Sequence, residues 1–376
     1  MRVLTLATRY FGLGGAEAYT RMFAEAVAAS GAEVDVFSFL EGDVPDHSST
    51  VRYLGHTAAR STAPAQMRFV ADAVRRGRGY DLVLCSHVAT APVGTILHRL
   101  LGTPYVVLAH GIEVWGTLGP RRRTALQRAA RVVAVSRFTA RALVREHGVA
   151  EDRVSVIHPA VDPSLLRRAL QEDGRARTET AVTLLTVARL SAQERYKGCD
   201  AVIAALPDVL ATAGPVRYTI VGDGDDRPRL ESLARGRGIS EIVQFAGRVP
   251  PDSLVAWYRD CDVFVMPSVA ERRADGWAGE GFGIVYLEAA AFGRPVIAGA
   301  GGGAPEAVRD GTTGLVVDGR DVRAVAAAIA RLARDAELRT RMGKAGRRWI
   351  LERFTVDRFR GDVGAVVERI AGAETS

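Results

Sequence analysis

The sequence predicts an α/β protein built from two doubly wound parallel sheets, one in each half of the chain. Its 376 residues exceed the roughly 250–300 at which a single hydrophobic core stops growing, which calls for two domains. Short apolar runs rich in Val, Ile and Leu alternate with longer stretches of helical period, and the alternation restarts after residue 180. Most of these runs are continuous rather than alternating, as strands covered on both faces by helices require.

In the first half the strand-like runs are 3–7, 34–39, 82–85, 105–109 and 132–135, and the helical stretches include 16–29, 65–75 and 92–101. In the second half the runs are 182–188, 218–221, 242–245, 263–266, 295–298 and 315–317. Between them, 158–180 begins His158-Pro159-Ala160-Val161-Asp162-Pro163 and then turns polar; two prolines and a loss of period mark an interdomain connection. The expected division is 1–165, 166–354 and a last helix within 355–376 that could cross back onto the first domain.

Apolar content of 48% and charged content of 25% are ordinary for a soluble globular chain. No apolar run approaches the roughly 20 residues of a membrane span, and residues 1–7 read as a first strand rather than a secretory signal. Cys85, Cys199 and Cys261 are odd in number and far apart, which suits neither a disulfide framework nor a zinc site and fits a reducing cytoplasm. The net charge of +7 is almost wholly arginine: lysine occurs only as Lys197 and Lys344, and asparagine is absent. A GC-rich genome accounts for that bias and makes each remaining lysine more informative. One local cluster, Arg121-Arg122-Arg123, reads either as a solvated helix face or as an attractor of anionic substrates or an acidic membrane surface.

Chemistry gathers at the strand-to-helix turns. Gly12-Leu13-Gly14-Gly15-Ala16-Glu17 follows the first strand, where glycines let backbone N–H groups approach an anion; Glu17 takes the place of a third fingerprint glycine, so this is not a dinucleotide motif. His110-Gly111-Ile112-Glu113-Val114-Trp115 follows the run 105–109. In the second half, Arg189-Leu190-Ser191-Ala192-Gln193-Glu194-Arg195-Tyr196-Lys197-Gly198 follows 182–188, at the strand end where open parallel sheets bind ligands. Lys197 there suits phosphate oxygens as a point charge and Arg189 as a fork. Glu280-Gly281-Phe282-Gly283-Ile284-Val285-Tyr286-Leu287-Glu288 sets two glutamates on either side of a helix expected to start near Gly283. Beside an anion they would repel it, so neutral sugar and ribose hydroxyls are their expected partners. Ala300-Gly301-Gly302-Gly303-Ala304-Pro305-Glu306 reads as one more strand–loop–helix turn, with proline early in the helix. Asp223-Gly224-Asp225-Asp226 reads as a turn rather than a metal pair.

Taken together, these segments resemble the retaining glycosyltransferases of family 4, over nearly the whole chain. The two-glutamate segment carries the resemblance best, supported by Arg189 with Tyr196-Lys197-Gly198, by Val221-Gly222-Asp223-Gly224 and by Gly302-Gly303-Ala304-Pro305-Glu306; Gly14-Gly15-Ala16-Glu17, His110-Gly111 and Val135-Ser136 match more loosely. The wording of 281–288 and 302–306 is similar to the actinobacterial phosphatidylinositol mannosyltransferase branch. The resemblance implies the GT-B fold, two Rossmann-like domains facing across a cleft, and transfer of a hexose or amino-hexose from a UDP- or GDP-linked sugar to a small-molecule or lipid-headgroup acceptor. It implies retention of configuration without a metal or other cofactor. In it, Arg189 and Lys197 hold the donor diphosphate, Glu288 the ribose, and Glu280 with the backbone of Gly281, Phe282, Gly283 and Ile284 the donor sugar. Gly222 belongs to the donor site, Arg248 and Val249 frame the base, His110 stands by the reacting carbon and Gly15 approaches the phosphates. Gly14, Glu17 and Glu113 border the acceptor. Nucleic acid is not an expected partner, and peripheral contact with the inner membrane face stays open beside a purely cytoplasmic site of action. The insert Glu271-Arg272-Arg273-Ala274-Asp275-Gly276-Trp277-Ala278-Gly279 departs from the family pattern, which leaves donor identity open.

Three other classes remain open to the residues. A nonhydrolysing nucleotide-sugar epimerase shares the architecture and would act without an acceptor. A non-catalytic nucleotide-sugar-binding subunit would bind without transfer. An NAD-dependent dehydrogenase ranks below both, because the glycine spacing is incomplete.

Overall fold

The structure, a computed structural model, describes residues 1–12, 14–42, 50–171, 181–274 and 276–373. Its chain divides into two compact units, Met1–Pro159 with Asp357–Ser376, and Ala160–Val356. The second half of the expected connection, 172–180, lies outside the described residues, as do Leu13 and Asp275.

The first unit is built on β1 (Arg2–Arg9), β2 (Glu33–Leu40), β3 (Arg52–Ala58), β4 (Leu82–Cys85), β5 (Tyr105–Ala109), β6 (Arg131–Ala134) and β7 (Val154–Val156). They pair in parallel in the order β3-β2-β1-β4-β5-β6-β7. The helices are α1 (Gly15–Ala29), α2 (Ala63–Arg76), α3 (Ala91–Leu101), α4 (Ile112–Trp115), α5 (Pro120–Arg128) and α6 (Arg137–His147). Leu4, Leu6, Val83, Leu84, Val107 and Leu108 are buried, which is why their runs carry no polar alternation. At the amino ends of the strands, Arg52 grips the buried Asp35 through two 2.6 Å hydrogen bonds and Tyr80 donates a third. Burial alone would raise that carboxyl; these partners hold it below its ordinary value.

The second unit contains β8 (Val182–Val187), β9 (Val216–Val221), β10 (Val243–Gly247), β11 (Val263–Met266), β12 (Glu271–Arg273), β13 (Gly276–Ala278), β14 (Val296–Gly299) and β15 (Gly314–Val317). Six of these form a parallel sheet in the order β10-β9-β8-β11-β14-β15, while β12 and β13 make a separate antiparallel hairpin. Its helices are α7 (Pro163–Gln171), α8 (Cys199–Ala213), α9 (Arg227–Gly236), α10 (Pro251–Asp260), α11 (Ile284–Ala291), α12 (Val322–Arg334) and α13 (Ala336–Arg353). The last helix, α14 (Val356–Ala373), supplies Phe359 to the first unit, edge-on to Tyr19 at 5.5 Å and to Phe23 at 6.2 Å.

Strand order reverses between β1 and β4 in one sheet and between β8 and β11 in the other, and in open α/β sheets ligands bind outside the carboxyl ends at such switch points. Two glycines show how tightly those ends are packed. A Cβ on Gly222, whose φ is +137°, would lie 1.9 Å from the Ala188 carbonyl oxygen, and one on Gly299 would lie 1.6 Å from that of Ser268.

The structure departs from the sequence reading in three places. β3 and β7 are sheet edges that no apolar run announces, and the insert, to which the sequence assigns no element, contains the antiparallel hairpin of β12 and β13. After β14 the chain makes only a three-residue 3-10 turn, Ala304–Glu306, where a helix was expected. Pro305 lies in a turn too short to carry a helix dipole, so no helix N-terminus is available at 300–306.

Candidate active site

In the second unit the site begins where β8 ends. Arg189 leaves the strand and the chain folds into a 3-10 turn, Ala192–Lys197, capped by Ser191, whose hydroxyl accepts from the Gln193 N–H at 3.3 Å. That turn brings Arg189 and Lys197 onto one carboxylate. Lys197 Nζ donates to Glu194 Oε2 at 2.7 Å, and the Arg189 guanidinium donates to Oε1. Burial alone would raise the Glu194 carboxyl; the Arg189 hydrogen bond and the Lys197 charge outweigh it and hold it below its ordinary value. Lys197 is sheltered, at 16% exposure, whereas Arg189 stands 66% exposed.

Past the hairpin, Glu280 anchors its backbone by accepting from the Gly303 N–H at 2.8 Å. Burial raises its carboxyl; the Lys197 charge offsets this in part and Glu194 adds to it. Arg189, Lys197, Glu194 and Glu280 therefore form one electrostatic cluster. Gly283 precedes α11 with φ +92° and no side-chain cap, so the first N–H groups of that helix are left to solvent or a ligand. Glu288 lies one turn into α11, where the Tyr258 hydroxyl donates to Oε2 at 2.6 Å. Burial raises this carboxyl too, the Tyr258 bond opposing and the charge of Asp162 adding.

The remaining second-unit residues divide by accessibility. Phe282 is buried and its ring lies 5.8 Å from that of Phe354, which leaves only its backbone for a ligand. Gly222 is required by the close approach to Ala188 described above. Arg248 is exposed and Val249 half-buried just past β10.

The first unit holds its own cluster. His110 Nε2 lies 2.7 Å from the Ser86 carbonyl, which can only accept, so Nε2 carries a proton; Nδ1 is buried without a hydrogen-bond partner. The His110 N–H donates to Glu113 Oε1 at 2.5 Å, so that carboxylate supports the turn. His87, at the end of β4, lies parallel to His110 with ring centres 6.1 Å apart and accepts from the Ala89 N–H on Nδ1. Burial holds the His87 ring below its ordinary value; Glu113 opposes this and His110 adds to it. Gly14 caps α1 through its backbone alone, and Glu17 folds back so closely that a Cβ on Gly14 would meet Oε2 at 2.2 Å. Gly15 opens the helix, exposed. In the arginine cluster, Arg123 donates to the His147 carbonyl at the end of α6, while Arg121 and Arg122 stay exposed.

The sequence reading missed Glu194, Tyr258 and His87. The signal for Glu194 was a carboxylate three residues before one cation and five after the other. His87 required the strand order, which makes β4 the switch partner of β1. Among the described residues no group of three or more His, Cys, Asp or Glu could hold a metal ion, and no helix is long and apolar enough to cross a membrane.

Comparison with known proteins adds a family. The model described as Glycosyl transferases group 1 matches residues 169–349, and that described as Glycosyltransferase Family 4 matches 13–165. A GDP-mannose-dependent alpha-(1-6)-phosphatidylinositol monomannoside mannosyltransferase of Mycolicibacterium smegmatis is 38% identical over 276 residues, 71% of either chain. A D-inositol 3-phosphate glycosyltransferase of Acidothermus cellulolyticus is 30% identical over 361 residues, 85% of this chain and 78% of the relative. Among solved structures, Anabaena HepE in complex with UDP has a TM-score of 0.77 at 22% identity, covering 98% of this chain and 100% of its own. Sucrose-phosphate synthase from Thermosynechococcus elongatus has a TM-score of 0.79 at 23% identity, covering 99% and 100%.

Proposed function

The chain belongs to glycosyltransferase family 4, with the GT-B fold, and from that premise we propose that it moves a hexose or amino-hexose from a nucleotide diphosphate sugar to a small polar or lipid-headgroup acceptor. The observation that carries the reading is the convergence of Arg189 and Lys197 on Glu194 beside the poorly solvated Glu280. Two cations held together are suited to a diphosphate, and a carboxylate whose desolvation the Lys197 charge offsets only in part is suited to neutral hydroxyls.

In the proposed reaction the bond between the sugar's anomeric carbon and the donor phosphate oxygen breaks, and the charge on the departing diphosphate is taken up by Arg189 and Lys197. The acceptor hydroxyl attacks the same face of the sugar and gives its proton to the leaving phosphate oxygen, so configuration is retained and no metal is needed. Glu280 and the backbone of Gly281, Phe282, Gly283 and Ile284 hold the sugar, Glu288 the ribose, Gly222 lines the donor site, and Arg248 and Val249 flank the base. His110 and Gly15 are the first unit's proposed donor contacts, and Gly14, Glu17 and Glu113 its acceptor contacts. The name of the Mycolicibacterium smegmatis relative favours GDP-mannose over UDP-sugars, and the names of both relatives favour an inositol-bearing, anionic acceptor. The exposed Arg121 and Arg122 suit such an anion, and action in the cytoplasm, in contact with an acidic inner leaflet when the acceptor is a lipid, goes with this reading.

The test is turnover of GDP-mannose and UDP-sugars in EDTA, with and without inositol-based acceptors, the product's anomeric configuration read by NMR. Acceptor-dependent transfer with an α-linked product from an α-linked donor is expected. Full turnover of donor without acceptor would return the epimerase reading, and activity that needs magnesium or manganese would overturn metal independence.

A further inference from the structure

The hairpin of β12 and β13 lies outside every role assigned so far. It leaves the sheet from β11, the strand beside β8 at the switch point, and so emerges next to the segment that carries Arg189 and Lys197. Two contacts join it to that segment. At its root, the Val269 N–H donates to the Tyr196 carbonyl at 2.7 Å. On β12, Arg273 Nη1 donates to the Gln193 carbonyl at 3.0 Å, while its Nε donates to Glu271 Oε1 at 2.6 Å. A further arginine, Arg320, secures the root by donating to the Ala270 carbonyl at 2.7 Å.

The two tie points, Gln193 and Tyr196, bracket Glu194, the carboxylate that gathers Arg189 and Lys197. A six-residue 3-10 turn has weak internal hydrogen bonding, and Glu194 inside it has non-helical angles (φ −115°, ψ 25°), so the turn needs outside support to keep one shape. Arg273 provides that support from the neighbouring strand's connection, and Glu271 fixes the rotamer in which it does so.

We propose that Arg273 is a positioning residue for donor binding: through Gln193 and Glu194 it sets the two cations at the spacing a nucleotide diphosphate requires. This rests on the donor assignment made above. An arginine that only braced the fold would act on all ligands of the unit alike, whereas one acting through this turn acts on the diphosphate and spares the ribose contact at Glu288.

The experiment is calorimetric titration of wild type, Arg273→Ala and Arg273→Lys with GDP and GMP, and with UDP and UMP. In Arg273→Ala the preference for the diphosphate over the monophosphate is expected to fall about 10-fold, the size of one lost charged hydrogen bond. In Arg273→Lys, which keeps a donor for the Gln193 carbonyl, part of that preference should return. Equal weakening of diphosphate and monophosphate, or an unchanged preference in both variants, would overturn the proposal. Should Arg273→Ala fail to fold, Arg273→Met, which keeps the stem and removes the donor to the Gln193 carbonyl, takes its place under the same criteria. Absence of diphosphate binding in wild type would instead overturn the donor assignment itself.

Discussion

Two segments of the second unit, 189–198 and 280–288, sit on the same unit and prepare for a ligand in opposite ways. In the first, Glu194 neutralises Arg189 and Lys197 before any donor arrives, and its carboxyl is held below the ordinary range. In the second, Glu280 and Glu288 are half-buried and, among the described residues, neither is in a direct ion pair; desolvation holds both carboxyls above it, although the Lys197 charge opposes this at Glu280. The difference teaches that stability and function diverge only at the second segment. An ion cluster satisfied within the protein supports the fold as well as its proposed chemistry, whereas a desolvated carboxylate, proposed to meet hydroxyls only when a donor binds, costs the fold something.

The largest effect that would sharpen this contrast belongs to Lys197→Ala. It removes one proposed diphosphate contact and leaves Glu194 with a single cation, so turnover should fall roughly 100-fold, in line with the loss of one preorganised charged donor. Steady-state assay of a variant with an unchanged circular dichroism spectrum checks it, and near wild-type activity would break the comparison on its cationic side.

Glu280→Gln should be smaller in activity and opposite in stability. A glutamate whose folded value is raised binds a proton more readily folded than unfolded, so ionising it destabilises the fold as pH rises above the ordinary value of 4.5. The glutamine variant should therefore melt about 2 °C above wild type at pH 7, a gap that closes as pH falls to 4.5 and below. Melting curves across that range check it.

Glu194→Gln should show the reverse sign with the smallest amplitude, since Arg189 is exposed and solvent screens its share. A lowered folded value contributes stability that is present above 4.5 and lost as pH falls through the folded value. The variant should melt below wild type at pH 7 and the two curves should converge in acid. Parallel curves for both glutamates would erase the distinction between the segments.

Much of this was legible in the sequence, for a physical reason. Strands such as β4, β5 and β11 are buried on both faces, so their runs are continuous and their limits readable to the residue. β3 is an edge strand whose Gly55 and His56 break any apolar run, and β7 has only three residues. The candidate residues 189, 197, 280 and 288 stood out because composition had nearly removed lysine and because two glutamates flank an apolar helix start. Glu194 was not, since a carboxylate in Ala192-Gln193-Glu194-Arg195 looks like surface until the 3-10 turn folds it back onto its neighbours. Pro305 misled because a proline marks the start of a turn whether or not a helix follows.

The central claim is that Glu288 serves the nucleotide and Glu280 the transferred sugar. Calorimetric titration of Glu288→Ala and Glu280→Ala with GDP and GDP-mannose, or with UDP and a UDP-sugar should wild type select uridine, tests it most directly. The Glu288 variant should bind both ligands roughly 10-fold or more weakly, as the loss of a charged hydrogen-bond acceptor requires. The Glu280 variant should bind the free diphosphate as wild type does and lose only the extra affinity conferred by the sugar. Equal loss of diphosphate affinity in the two variants would contradict the division of roles.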